Sequence, residues 1–142
     1  VSQFEPDVRT LVEMGRLVSG PDYLKAEQLR RVLVEDFARV FDDVDVIITP
    51  ATPLTAWLHD AETVEIAGGQ ESVLAASWRL TYPYNLVGLP AISIPCGFDR
   101  DGLPIGLQIA AKPFDEQTLL RVAHAYEQRH NWAADTPTFL DV

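Results

Sequence analysis

The stretch at residues 78–97, which reads WRLTYPYNLVGLPAISIPCG, decides how the rest of the chain is arranged. A short helical run leads into a turn at residues 88–90, and an apolar strand interrupted by Pro95 and Gly97 follows it. Gly88 in this turn permits either a positive φ or a close backbone approach that a side chain would block. Aromatic and polar side chains therefore surround a bend, which is a typical border of a pocket.

Length and composition give the chain the bulk of one ordinary globular domain, which does not make it a complete one. The chain has 142 residues, of which 47% are hydrophobic, and this is enough to bury a core. Its formal net charge of −10 argues against nucleic acid and anionic membranes as partners, because both attract basic surfaces. Cys96 is the single cysteine, which excludes an internal disulfide and the two-cysteine zinc and redox motifs. We therefore expect no metal and no cofactor.

Two further features concern location in the cell. The longest apolar runs fall far short of the roughly 18 residues that a membrane-spanning helix needs. The amino-terminal sequence VSQFEPDVRT lacks the basic region and apolar core of a secretory leader. The sequence therefore predicts no membrane attachment and a cytoplasmic location.

Hydrophobic spacing predicts helices and strands along the whole chain. Helices are predicted over residues 6–18, 19–40, 72–80 and 115–131, and strands over residues 44–48, 63–66, 91–98 and 104–110. We expect the apolar stripe of the first helix to face inward, at Val8, Leu11, Val12 and Val18.

These elements predict an α/β fold in which part of a mixed sheet is flanked by helices. The turn at residues 99–102 joins two of the strands into a hairpin, and the hairpin and strand 44–48 are expected at or near the core. Alternation in the second hairpin strand places Ile105, Leu107 and Ile109 on one face.

The known catalytic and metal-binding motifs are not found in this sequence. Ser93 lies outside a Gly-x-Ser-x-Gly elbow, and the histidines form no HExxH pair. The acidic turn at residues 99–102 lacks the closing glutamate of a calcium loop. Cys96 has no histidine near it in sequence, which favours a buried, inert thiol over a nucleophile. No residue is therefore assigned a catalytic role.

Four blocks, in this order, resemble the carboxy-terminal part of the amidase signature family. They are TPATP at residues 49–53, NLVGLPAISIPCG at 85–97, DGLPIGLQ at 101–108, and FDE at 114–116. The resemblance covers about residues 19–132. It implies the amidase signature fold, a single amidase domain of which residues 1–142 are the carboxy-terminal portion, and serine amidohydrolase chemistry with a Ser, cis-Ser, Lys triad. The family includes general amidases, allophanate hydrolases and the A subunit of glutamyl-tRNA amidotransferase.

The triad of that family lies upstream, in a Gly/Ser-rich segment that nothing here matches. Lys25 and Lys112 are the only lysines, and neither precedes a Gly-Gly-Ser-Ser stretch. We therefore expect this chain to be a fragment without the catalytic part, and to be inactive alone. Glutamine-using A subunits typically carry an aspartate five residues before the proline at 83, where this chain has Trp78. This difference favours a general amidase with an apolar acyl or aryl pocket.

The substrate-binding residues that the resemblance and the bend suggest are Thr49, Trp78, Thr81, Tyr82 and Asn85. Thr49 ends a predicted sheet strand, where open α/β sheets bind ligands. The alternative for Thr49 is an ordinary strand terminator, and the alternative for the two aromatic residues is plain core. Asn85 is more readily explained by a cap on its own turn than by contact with substrate.

Three functions are expected from these residues, in order of preference. The first is part of an amidase that hydrolyses a small carboxamide, so that an amide is the expected partner. The second is part of a glutamyl-tRNA amidotransferase A subunit. The third, from another class, is a non-catalytic binding or subunit module. An unpaired sheet edge would also favour self-association, so a homo-oligomer is among the expected states.

Overall fold

The computed structural model describes residues 4–130 and 132. Its contacts divide the chain into two units, Val1–Phe37 and Ala38–Val142. That residues 1–142 belong to one domain stays a prediction. None of the helices in the described ranges is long and apolar enough to cross a bilayer.

The described residues form five helices and five strands. In chain order they are α1 (Pro6–Gly15), α2 (Gly20–Asp43), β1 (Val46–Pro50), β2 (Thr63–Ile66), β3 (Gly69–Ser72), α3 (Val73–Trp78), α4 (Tyr82–Val87), β4 (Ala91–Phe98), β5 (Pro104–Ala111) and α5 (Glu116–Glu127). The two central helices α3 and α4 come from the segment that the sequence predicted as one helix followed by a bend.

Helices α1 and α2 both begin in the first unit, and they begin as their sequences predict. Pro6 occupies the first turn of α1, where its missing N–H leaves no intrahelical bond unmade. Ser19 caps α2, because its hydroxyl oxygen accepts a hydrogen bond from the backbone N–H of Asp22 at 3.2 Å. Arg9 and Glu13 form an exposed ion pair one turn apart along α1.

The expected inward face of the first helix is wrong for this structure. Val8, Leu11, Val12 and Val18 are between 42% and 57% exposed. An amphipathic stripe is buried only where another element lies against it. No described residue covers these four side chains enough to bury them. Spacing alone therefore predicted the apolar stripe but not whether another element packs against it.

The second unit contains two antiparallel sheets. The larger has the strand order β1-β5-β4, and the smaller pairs β2 with β3. The predicted α/β class and the predicted hairpin of β4 and β5 are confirmed. The described strands pair only in antiparallel fashion, so the parallel pairs that a mixed sheet also contains are not among them.

Strand β1 begins and ends two residues later than the sequence predicted. Thr49 and Pro50 were expected to terminate it, yet they pair with Gln108 and Leu107 of β5. β1 lies at the edge of the described sheet, where a proline is tolerated because its missing N–H can face away from the ladder. The pairing continues beyond the strand, since Ala51 N–H donates to the carbonyl of Gly106 at 2.8 Å.

Helix α5 covers one face of the three-stranded sheet. The buried apolar cluster there consists of Ile94, Ile109, Ala111, Leu119 and Ala123. Leu107 packs against this cluster from the face of β5 that Ile109 occupies, as the alternation predicted. The opposite face of β5, which carries Gly106 and Gln108, is the face that matters for the candidate site.

Strand β4 continues through the residues that were expected to interrupt it. Its register with β5 shifts between Pro95 and Gly97, which is the mark of a β-bulge at Cys96. The Cys96 thiol is half-buried and donates weakly to the carbonyl of Ile105 at 3.5 Å. Burial raises the pKa of Cys96, and this disfavours the thiolate that a nucleophile needs.

The bend at Gly88 ends α4 through its backbone angle and not through a close approach. Gly88 has φ 75° and ψ 36°, and the N–H of Leu89 donates to the carbonyl of Tyr84 at 3.0 Å. This is the left-handed ending that favours glycine. A Cβ at Gly88 would meet no heavy atom within 4 Å. Of the two reasons proposed for this glycine, only the positive φ applies.

Replacing Gly88 with Ala should lower the free energy of unfolding by about 1–2 kcal/mol, the usual cost of a left-handed Ala. Gly88→Asn should lose less, because Asn tolerates this region better. Urea unfolding of the three proteins measures both differences. A Gly88→Ala protein as stable as the parent would show that the angle carries no constraint.

Candidate functional site

The first wall of the candidate site is the loop that leaves β1 at the edge of the sheet. It turns back against β5 and lines a half-open cavity of about 250 Å³. The cavity is lined by Pro50, Thr52, Pro53, Leu54, Thr55, Ile105 and Gly106. Prolines fix φ and two threonines supply hydroxyls, so the sequence builds a short rigid loop with mostly apolar walls.

Gly106 allows this loop to lie close to the sheet. A Cβ added to Gly106 would lie 2.9 Å from the Cβ of Ala51 and 3.1 Å from the Oγ of Ser93. Neither distance leaves room for a methyl group without movement of a neighbour. The glycine is therefore required by a close approach between β5 and the residue that follows β1.

Hydrogen bonds hold the far end of the loop. The Thr52 hydroxyl donates to the carbonyl of Leu54 at 2.7 Å, and the Thr55 hydroxyl donates to Asp99 Oδ2 at 2.6 Å. Asp99 Oδ1 accepts the backbone N–H groups of Leu103 and Asp101. The hydrogen bond from the Thr55 hydroxyl is the main cause that holds the pKa of Asp99 below its ordinary value, and the bonds from these N–H groups lower it further. Asp99 is thus a fixed anion that joins the loop to the β4–β5 turn.

The second wall is the connection between α3 and α4. Ser72 caps α3 by accepting the N–H of Ala75 at 3.2 Å, and Trp78 ends the helix. The carbonyl of Trp78 accepts both the N–H of Thr81 at 3.1 Å and its hydroxyl at 3.3 Å. These bonds make a tight turn directly after Trp78.

Two aromatic rings project from this turn. Trp78 and Tyr82 pack edge to face, with ring centroids 5.2 Å apart and planes at 82°. Trp78 is 36% exposed and Tyr82 is 55% exposed. They form an aromatic surface that solvent reaches. Tyr84, which lies on α4 with Tyr82, is buried instead. The two rings are therefore not buried within the described residues, and that they contact a ligand stays a prediction.

Gln108 connects the second wall to the end of β1, where the first wall begins. Its amide nitrogen donates to the Thr49 hydroxyl at 3.1 Å and to the carbonyl of Leu80 at 2.9 Å. Gln108 is 5% exposed, and it is the one polar residue among those described that is classed as buried. A buried amide is costly unless its hydrogen bonds are made, and here both N–H groups have acceptors.

Comparison with known proteins identifies the family. A family model described as Amidase matches residues 2–120, which is most of the chain. The chain belongs to the amidase family.

Three relatives show how much of an amidase family protein this chain represents. The A subunit of glutamyl-tRNA(Gln) amidotransferase from Brevibacillus brevis is 47% identical over 118 residues, which are 83% of this chain and 23% of that protein. A crystal structure of an amidase matches 90% of this chain and 29% of that chain, with TM-score 0.84 and 28% identity. The structure of the amidotransferase A subunit from Thermotoga maritima matches 86% of this chain and 26% of that chain, with TM-score 0.60 and 31% identity.

Most of the predicted site residues lie where Gln108 joins the end of β1 to the connection between α3 and α4. We call this place the junction. Thr49 is bonded to Gln108, while Trp78, Thr81 and Tyr82 form the turn beside Leu80. Asn85 lies one turn along α4, exposed, and its backbone N–H donates to the carbonyl of Thr81 at 3.3 Å. That these residues bind substrate stays a prediction.

Two residues at the junction were missed by sequence reasoning. Gln108 and Gly106 were given no role at the site, although both occur in the DGLPIGLQ block of the resemblance. A polar residue in an otherwise apolar buried strand was the available signal for Gln108, because it requires hydrogen-bond partners.

The described residues contain no group of three or more His, Cys, Asp or Glu side chains placed to hold a metal ion. His59 pairs with the neighbouring Asp60 in an exposed loop. The residues that line the cavity are apolar or carry neutral hydroxyl groups, and the carboxylate of Asp99 is bonded to one of these hydroxyls.

Proposed function

We propose that this chain forms part of the substrate-binding wall of an amidohydrolase that cleaves the C–N bond of a small carboxamide. The observation that carries the proposal is the Amidase family match over residues 2–120. The chain spans about a quarter of its relatives' length, so the activity is proposed for the protein of family length that includes it.

Within that enzyme, this chain contacts the substrate, and the reacting groups lie elsewhere in the domain. Amide hydrolysis needs a nucleophile, a base and donors for the developing oxyanion. The threonine hydroxyls at the described junction already donate to fixed partners or accept from Gln108. The carboxylate bonded to one of them, Asp99, is a poor base, because its hydrogen bonds lower its pKa. This supports the family's Ser, cis-Ser, Lys chemistry in a segment outside these 142 residues.

The substrate is an amide with an apolar acyl or aryl group. Trp78 and Tyr82 offer a partly exposed aromatic surface beside the junction, which favours an apolar or aromatic group over a charged one. The predicted cytoplasmic location and homo-oligomeric state stay predictions, as does the single amidase domain.

A second candidate is a glutamyl-tRNA amidotransferase A subunit, which the 47% identity to the Brevibacillus brevis protein favours. Against it, Trp78 lies where such subunits are expected to carry an aspartate. The alternative of another class, a binding or subunit module without activity, requires that the protein carrying this chain lack the triad. Initial rates on an anilide, an aliphatic amide and glutamine separate the three functions.

The test of the proposed substrate is Trp78→Ala in the family-length enzyme. Losing the aromatic surface should raise KM for an anilide about 10-fold, since one good aromatic contact is worth about 1–1.5 kcal/mol, while kcat changes little. Leu74→Ala is the matched control, because Leu74 is an exposed apolar residue on the same helix. An unchanged KM in Trp78→Ala, or an equal rise in Leu74→Ala, would contradict this role.

A further inference from the structure

We infer that Gln108 is a positioning residue that sets the separation between the two walls of the substrate pocket. Its described hydrogen bonds reach neither Trp78 nor Tyr82, and it acts through Thr49 and Leu80. The inference rests on the proposed function for the nature of the substrate. The geometry behind it does not depend on that function.

The two hydrogen bonds of Gln108 differ in the segments of the chain that they join. Thr49 is the cross-strand partner of Gln108 in the sheet, so the first bond joins neighbours that the ladder already holds together. Leu80 belongs to the connection between α3 and α4, so the second bond joins the sheet to a separate segment. The Leu80 bond is therefore the one that positions the second wall.

The chemistry of the acceptors fixes the direction of the amide. A backbone carbonyl can only accept, so the NH2 group of Gln108 must face Leu80. Thr49 then accepts the other N–H, and its own hydroxyl proton is left free to turn towards another acceptor. Reversing the amide would set two oxygens against each other at 2.9 Å, so the side chain has one stable orientation.

The position of Leu80 determines where the aromatic pair of Trp78 and Tyr82 lies. Leu80 lies between Trp78, whose carbonyl holds Thr81, and Tyr82, whose ring packs on Trp78. Arg79 also pairs with Glu71 of β3, which ties the same turn to the smaller sheet. A shift of Leu80 away from β5 must therefore move the aromatic surface relative to the loop that follows β1.

The test combines substrate selectivity with a core control, in the family-length enzyme. Gln108→Met keeps the shape and removes both hydrogen bonds. Its ratio of kcat/KM for an anilide to that for acetamide should fall about 10-fold, because only the larger substrate is expected to reach the aromatic pair. Ile109→Val is a neighbouring core change that lowers stability and leaves this ratio unchanged. Equal ratios in Gln108→Met and wild type would overturn the inference.

A second measurement does not depend on activity. In the 142-residue chain that carries Trp57→Phe and Trp132→Phe, Trp78 is the only tryptophan, and its emission reports the position of the turn. Gln108→Met should shift this emission, while Thr49→Val should not, because the Leu80 bond remains. Unshifted emission in Gln108→Met overturns the inference. If the wild-type enzyme hydrolyses no amide, the proposed function fails, and the emission measurement still decides the role of Gln108.

Discussion

Gly106→Ala is expected to lower the free energy of unfolding by about 2–3 kcal/mol, the upper range for overpacking a well-packed site. The added methyl group would lie 2.9 Å from the Cβ of Ala51 and 3.1 Å from the Oγ of Ser93. The Ser93 hydroxyl can rotate, but the Ala51 Cβ moves only with its backbone. That backbone is bonded to Gly106 itself through the Ala51 N–H. The strain therefore falls on the loop that lines the cavity.

Urea unfolding of Gly106→Ala measures the loss, and two further variants interpret it. Gly15→Ala is the matched control, since no heavy atom lies within 4 Å of its added Cβ, and its stability should change little or rise. Ala51→Gly in the Gly106→Ala background removes the closest contact and should restore part of the loss. A Gly106→Ala protein as stable as the parent would refute the close approach.

Local pattern predicted the parts of the fold whose partners are near in sequence. The hairpin of β4 and β5, the Ser19 cap and the shared face of Leu107 and Ile109 all follow from spacings of a few residues. The inward face predicted for Val8 and the other apolar residues of α1 failed, because burial depends on a covering surface that one helix does not specify.

The candidate site depends on contacts between residues that are far apart in sequence, and hydrophobic spacing does not predict such contacts. Gln108 bonds to residues 59 and 28 positions away, and Gly106 is required by Ala51 and Ser93. Sequence reasoning named Thr49 and the aromatic pair as site residues, but it gave no reason for them to lie at one junction. The reason is a buried amide that needs two acceptors, one on each wall.

The second large effect concerns activity. The 142-residue chain alone should hydrolyse no amide faster than buffer, because binding without a nucleophile, a base and oxyanion donors leaves the barrier nearly unchanged. The missing enhancement is large, since enzymes typically accelerate such reactions by about 10⁶-fold or more. In the family-length enzyme, replacing Lys25 and Lys112 with Ala should leave kcat within about 3-fold of the parent, since neither lysine is assigned to the triad.

Release of aniline and ammonia from a panel of simple amides, measured against the concentration of the purified chain, tests most directly the claim that this chain binds and does not react. The expected result is a rate equal to that of buffer at every concentration. Release that rises in proportion to the chain, whether or not Lys25 and Lys112 are replaced, would contradict the claim and locate a nucleophile within these 142 residues.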